Sequence, residues 1–312
     1  MKYNLKKLCT LLITVFVISF LAFAAFQIIG DPIGHLLGTE ATPEAEAALR
    51  EQLGFNRPIP VRYFEWLTGF IKGDFGTSYS YNMPLYDMVI PKLGITISLT
   101  VFAFLLTVVI SIPLGVYQVR KENSAFDRIM TVINQIVMSI PPFFIGILLT
   151  CIFGLALRFF TPGLYVSWSD SPLGFVFYLF FPALSIAIPR VAQVVKMLRS
   201  NVLEQMKSEY VYTAYSRGMN RRRVLEVHAL RNAMIPVATF LAVSLSEMLA
   251  ASIIIEQIFS IPGIGRLLLS SIGNRDFPVV LAIVVILALW VILVNFAADV
   301  LYQFIDPRIK NE

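Results

Sequence analysis

The sequence predicts an all-α polytopic membrane protein with six transmembrane helices. Three observations lead there. Hydrophobic residues make up 57% of the chain and charged residues only 14%, against about a quarter charged in an ordinary soluble domain. Apolar runs long enough to cross a hydrocarbon core of roughly 30 Å, which takes about 20 helical residues, occur at 9–29, 93–119, 129–157, 173–195, 233–255 and 279–305. Basic residues gather in alternate connections between those runs, as the excess of Lys and Arg in cytoplasmic loops requires. The spans consume most of the 312 residues, so no room remains for a nucleotide-hydrolysing domain, and the chain reads as a single transmembrane domain, 1–312.

The first run follows Lys2, Lys6 and Lys7 but exceeds the roughly 7 to 15 residues of a signal-peptide core, so it reads as a retained helix. Segment 30–92 comes next. Asp31-Pro32 opens it, and Thr42-Pro43-Glu44 predicts a short helix with Thr42 as its cap, Pro43 at its first position and acids in its first turn. Val61, Phe64, Leu67 and Ile71 recur at helical spacing beside Tyr63 and Trp66, which suits a helix at the outer membrane interface, and Gly73-Asp74-Phe75-Gly76 ends it.

The later spans carry Pro113, Pro141 with Pro142, Pro182 and Pro189, each of which predicts a bend. The bend at Pro141 has two readings: a packing kink, or a curve that serves a translocation cavity. Glu256 and Arg190 lie nearer the ends of their spans, where snorkelling makes a charge inexpensive. Glu247 is the acid well inside a span, and it reads either as a paired or protonated group packed against a partner, or as a polar group lining a pathway.

Segment 196–232 is polar and internal. Val202, Met206, Tyr210 and Ala214 fall near one helical face, which predicts an amphipathic helix leaving the fourth span. Gly218 stops it, and Asn220 caps a second helix through Val224, Leu225, His228 and Leu230. Arg221, Arg222 and Arg223 fall in the first turn of that helix, where the macrodipole disfavours cations. Two explanations stand: topological retention with attraction to anionic lipid headgroups, or a docking surface for a soluble partner. Orientation follows from Lys2, Lys6, Lys7, Arg120, Lys121, Arg128, the basic residues of 196–232, Arg308 and Lys310 on one side, against Arg158, Arg266 and Arg275 in the short loops of the other. Both termini are therefore expected in the cytoplasm.

Other chemistry is excluded by its residues. Cys9 and Cys151 fall in apolar runs and His35 and His228 in different polar segments, which provides neither a disulfide framework nor a metal cluster. No phosphate loop GxxxxGK[ST] and no paired catalytic groups occur, so no cofactor, metal, nucleic acid or catalytic residue is expected. A self-contained secondary transporter is disfavoured, because the spans lack an inverted repeat and intramembrane ionisable residues are few.

The residues also carry a resemblance. Tyr212-Thr213-Ala214-Tyr215-Ser216-Arg217-Gly218, followed by His228-Ala229-Leu230-Arg231-Asn232-Ala233, resembles the EAA loop of ABC importer permeases in its peptide-transporter variant, with Tyr212, Thr213 and Arg231 departing from the general motif. Thr42-Pro43-Glu44 to Leu53-Gly54, Gly73-Asp74-Phe75-Gly76-Thr77-Ser78, the stretch from Glu256 to Arg266 with Pro262-Gly263-Ile264-Gly265, and Asp306-Pro307-Arg308 resemble the dipeptide/oligopeptide/nickel permease family over nearly the whole length. The resemblance implies a type I ABC importer permease-like bundle in the inner (cytoplasmic) membrane. It implies a second homologous permease, two cytoplasmic ATPase subunits that hydrolyse the ATP, and an external binding protein that delivers peptides, with nickel or a metal chelate as the alternative cargo. It assigns ATPase docking to Tyr210, Thr213, Ala214, Arg217, Gly218, Met219, Arg221 and Arg222, and leaves Glu247 and Pro141 as pathway candidates.

Overall fold

A computed structural model describes residues 2–29, 33, 37, 42–52 and 54–305, with side chains from residue 10 to 26 of the first helix and up to residue 298 of the last. The terminal Asp306-Pro307-Arg308 motif, Lys310, Asp31-Pro32 and His35 lie outside the described residues. The helices are α1 (Lys2–Ile29), α2 (Pro43–Gln52), α3 (Ile59–Ile71), α4 (Leu85–Arg120), α5 (Ala125–Met138), α6 (Pro142–Leu149, running on through a wider π turn, Thr150–Ala156), α7 (Pro172–Gln205), α8 (Glu209–Ser216), α9 (Arg221–Ile258), α10 (Ile264–Gly273) and α11 (Phe277–Ile305). Among the described residues α4, α7, α9 and α11 are each long and apolar enough to cross a membrane, and the α5–α6 pair is so only taken together, as a broken span or a re-entrant loop. In α1 the described apolar stretch is the shorter Thr10–Phe26. The chain divides into two compact units, Met1–Ile95 with Pro262–Leu293, and Thr96–Ile261 with Val294–Glu312.

In the first unit the short external helix forms where Thr42 caps it: its hydroxyl accepts from Ala45 N at 3.2 Å, and Glu44 and Glu46 occupy the first turn. Tyr63, not Val61 or Phe64, is buried, and it packs with Trp66, Leu67 and Phe70 against Phe23, Leu281 and Val285. Its phenol has one strong reason to turn inward, a 2.8 Å hydrogen bond with the Ser19 hydroxyl of α1. Val61, Phe64 and Ile71 stay exposed, as befits a helix lying along an apolar boundary.

After α3 the chain turns through Gly73 and Gly76, both at positive φ. The buried Asp276 carboxylate then gathers the following loop: Ser78 Oγ donates to it at 2.5 Å, Tyr79 N at 3.1 Å and Ser80 N at 3.2 Å. Burial raises the neighbouring Tyr79 phenol above its ordinary pKa and keeps it neutral.

In the second unit the double proline breaks the third span instead of bending it. Pro141 lacks an N–H and pushes Ile140 out of helical geometry, Pro142 restarts the chain at the first position of α6, and the axis turns by 100°. By contrast α7 runs unbroken through Pro182 and Pro189, and the Ser185 hydroxyl donates to the Pro182 carbonyl at 2.6 Å. Small residues set the close approaches. A Cβ on Gly146 of α6 would stand 3.2 Å from Ile255 and 3.3 Å from Phe259, and one on Gly115 of α4 would stand 2.8 Å from Leu198 of α7.

Two buried carboxyl groups of this unit are paired, those of Asp127 and Glu256. Asp127 near the start of α5 is 3% exposed and receives both Arg199 Nε (2.7 Å) and Arg199 Nη2 (2.8 Å) from α7. Gln118 Nε2 and Asn123 N donate to the same carboxylate at 3.0 Å each. Glu256, expected to snorkel at a helix end, is instead fully buried and accepts from Thr96 Oγ1 at 2.5 Å. A carboxylate that is hydrogen-bonded inside the unit has no need of the membrane surface.

Candidate functional site: the internal loop and an adjoining cavity

The expected single amphipathic helix leaving the fourth span is two helices. Span helix α7 ends at Gln205, the chain turns at Met206 to Ser208, and the eight-residue α8 starts afresh. This turn resets the helical phase, so the stripe through Val202 and Met206 does not continue through Tyr210. Val211 and Ala214 are the buried residues of α8, packed on Val224 with Met206 and Met219 around them. Tyr210 is exposed and donates to Gln205 Oε1 at 2.8 Å. Tyr212, Thr213, Tyr215 and Arg217 are exposed as well, so α8 presents an aromatic and hydroxyl-rich outer face.

Gly218 ends α8 as expected, and its reason is the backbone alone. Its φ is +80°, with nothing within 4 Å of where a Cβ would stand. Gly218 N donates to Tyr215 O at 2.8 Å and Met219 N to Ala214 O at 3.3 Å, the paired bonds of a Schellman motif, and Met219 supplies the accompanying apolar contact. Asn220 then caps the next helix, its Oδ1 accepting from Arg223 N at 2.9 Å. That helix is not a separate element. Arg221–Arg223 passes through a π turn, Val224–Ala229, straight into the fifth span. Only three residues, Arg217, Gly218 and Met219, and the Asn220 cap therefore separate α8 from α9.

The arginines at this helix start have partners within the chain. Arg221 pairs with Glu122 of the loop after α4, Arg222 Nε with Glu226 at 3.0 Å, and Arg120 Nη2 with the same Glu226 oxygen at 2.8 Å. These acids offset the unfavourable placement of cations at a helix N-terminus. The i,i+4 pair Arg222–Glu226 was legible in the sequence. Glu122 and Arg120 were not, because only the fold brings the end of α4 to the start of α9.

The sequence-predicted pathway residues separate. Glu247 on α9 pairs with Arg190 on α7, Oε2 to Nη1 2.5 Å, with the Glu247 side chain 51% exposed and Arg190 19%. Both line a cavity of about 670 Å³ with Met138, Gln193, Lys196, Met197, Ser200, Asn201 and Phe240. Arg190 therefore does not snorkel; it reaches the acid of the neighbouring helix. Pro141 is exposed at the break between α5 and α6 and is absent from that lining, so its part is in the backbone. Among the described residues no group of three or more His, Cys, Asp or Glu side chains is placed to hold a metal ion.

The chain is similar to known proteins over nearly its whole length. Residues 109–311 match the model of the binding-protein-dependent transport system inner membrane component, and residues 1–100 match the N-terminal model of the same kind of membrane component. A putative peptide transport system permease protein of Brucella abortus (strain 2308) is 33% identical over 309 residues, covering 99% of this chain and 98% of that protein. The dipeptide transport system permease protein of Escherichia coli (strain K12) is 31% identical over 338 residues, covering 100% and 99%. An oligopeptide transport system permease protein of Bacillus subtilis (strain 168) is 32% identical over 303 residues, covering 96% and 95%. With matches over its full length and a helical membrane architecture, the chain belongs to the family of binding-protein-dependent transport system inner membrane components.

Proposed function

We propose that this chain is one permease subunit of an ATP-driven ABC importer for peptides. It forms half of the translocation pathway as one transmembrane domain in the cytoplasmic membrane, with both termini on the cytoplasmic side. A second, similar permease completes the pathway, and an external binding protein delivers the peptide. ATP is hydrolysed on two separate cytoplasmic subunits, one of which seats α8 in a groove.

The observation that carries this reading is the construction of α8. Its inner face is anchored on Val224 while Tyr210, Tyr212 and Tyr215 point outward, and a Schellman turn joins it to the continuous fifth span. A short rigid helix tied at both ends to transmembrane helices transmits a displacement that a bistable bundle amplifies. Its basic flank, Arg217 with Arg221 and Arg222, adds positive potential next to that face, although Arg221 and Arg222 already hold acids of their own chain. The peptide cargo rests on the similarity to peptide transport system permeases of Brucella, Escherichia and Bacillus.

The test is affinity purification of the tagged chain from mild detergent, followed by reconstitution. ATPase subunits and a second permease should co-purify in fixed ratio, and proteoliposomes given the external binding protein should accumulate di- and tripeptides only with ATP. A chain that purifies alone or as a homo-oligomer and transports without ATP would be a secondary transporter instead.

A further inference from the structure

We propose that the cavity between α7 and α9 is a subsite for the two charged ends of a short peptide, with Glu247 taking the N-terminal ammonium and Lys196 the C-terminal carboxylate. The inference rests on the peptide-importer reading and adds to it which residues meet the cargo and what they recognise.

The site has built features. Arg190, Gln193, Met197 and Ser200 recur at helical spacing and turn one face of α7 toward the cavity, and Phe240 and Glu247, seven residues apart, do the same on α9. At about 1.5 Å rise per residue, Phe240 and Glu247 stand about 10 Å apart along their helix and Arg190 and Lys196 about 9 Å apart along theirs. The acid is therefore at one end of the cavity and Lys196 toward the other. About 9 to 10 Å is the reach of an extended di- or tripeptide at roughly 3.3–3.6 Å per residue. The volume, about 670 Å³, lies inside the roughly 300–1,000 Å³ typical of small-molecule sites.

The charges are arranged for exchange with a ligand. Glu247 is half exposed, so its carboxylate can accept from a ligand while Arg190 stays bound. Arg190 is less exposed and is held by a second bond to Gln193 Oε1 at 2.9 Å. Arg190 is thus a positioning residue that keeps the Glu247 carboxylate aimed. Lys196 is exposed and lightly held, its Nζ donating to Gln135 Oε1 at 3.0 Å.

The apolar part of the lining is Met138, Met197 and Phe240. Thioether side chains adapt to varied shapes. Such a wall suits cargo whose side chains vary while its termini do not.

The experiment uses the whole complex in nanodiscs, with Cys9→Ser and Cys151→Ser removing the native thiols and Ser200→Cys as the reporter in the cavity. Tri-alanine should slow labelling of that cysteine by a methanethiosulfonate reagent. N-acetyl-tri-alanine and tri-alanine amide should need about tenfold higher concentration for the same protection. In Glu247→Gln, tri-alanine and its N-acetyl form should become equivalent while the amide still differs; in Lys196→Gln, tri-alanine and its amide should become equivalent while the N-acetyl form still differs. Equal protection by free and blocked peptides in the unsubstituted cavity would overturn the proposal, and that comparison needs neither charge variant to fold. A cysteine that fails to label even without peptide would also overturn it, by showing that the second permease packs on this face. ATP-driven uptake of a di- and tripeptide mixture is measured on the same preparation. Uptake without protection sinks the subsite alone, whereas absence of uptake sinks the importer reading itself.

Discussion

Arg199 and Asp127 lie 72 positions apart in the chain and meet through two parallel hydrogen bonds of 2.7 and 2.8 Å, with Asp127 almost wholly buried. The pair fastens the start of α5 to the end of α7, close to the internal loop. Its two-pronged geometry suits a guanidinium and not an ammonium.

Removing one partner strands the other. Arg199→Leu leaves a buried carboxylate with only Gln118 and Asn123 as donors, and losing one member of such a pair costs about 3–5 kcal/mol. We expect a clear fall in the melting temperature of the purified complex and in the amount of chain inserted. Asp127→Leu combined with Arg199→Leu should recover part of that loss and not all, because Asn123 N then lacks its acceptor. A single variant that melts like the parent would show that the pair is dispensable.

Gly218 makes a second prediction. Its positive φ costs a residue with a Cβ about 1–2 kcal/mol, and no neighbour would clash with that Cβ. Gly218→Val should therefore insert normally yet tilt α8, weakening ATPase association or uncoupling hydrolysis from uptake, whereas Gly218→Asn should come close to the parent. Pull-down of the ATPase subunits and the ratio of peptide imported to ATP hydrolysed report on this. Full coupling in the valine variant would remove the loop from the mechanism.

Orientation yields a third. Ser80 and Tyr212 are both exposed, and neither side chain holds its loop: Ser80 contributes its N–H to Asp276, and Tyr212 is 63% exposed. Cysteines at these positions, in a background of Cys9→Ser and Cys151→Ser, should react with an impermeant maleimide from opposite sides of the membrane. Reaction of both in intact cells would overturn the assigned topology.

Local physics made some elements readable directly. Thr42 with Pro43 and Glu44 contains a helix start within itself, and Gly218 with Asn220 contains a helix stop and the next cap, because each device is satisfied by backbone groups within four or five residues. The apolar runs likewise announce membrane helices, since composition and length alone decide whether a segment tolerates hydrocarbon. Their ends were less legible: α4 begins at Leu85 and α7 continues to Gln205, beyond the apolar core of each, because polar flanks remain helical outside the hydrocarbon.

What only the tertiary structure decided is the pairing of groups distant in sequence. The sequence contains Glu247 and Arg190, yet periodicity within either span says nothing of the neighbour each will face, so neither is identified from sequence as the other's partner. The burial of Glu256 is hidden for the same reason, its partner Thr96 lying 160 positions away. The phase of α8 depended on a three-residue turn at Met206 that no apolar pattern records, and with it the choice of Tyr210 as an outward residue. A sequence by itself determines what each segment requires of its surroundings; which surroundings it receives depends on helices packing at close range, where a glycine such as Gly146 decides how near two backbones come.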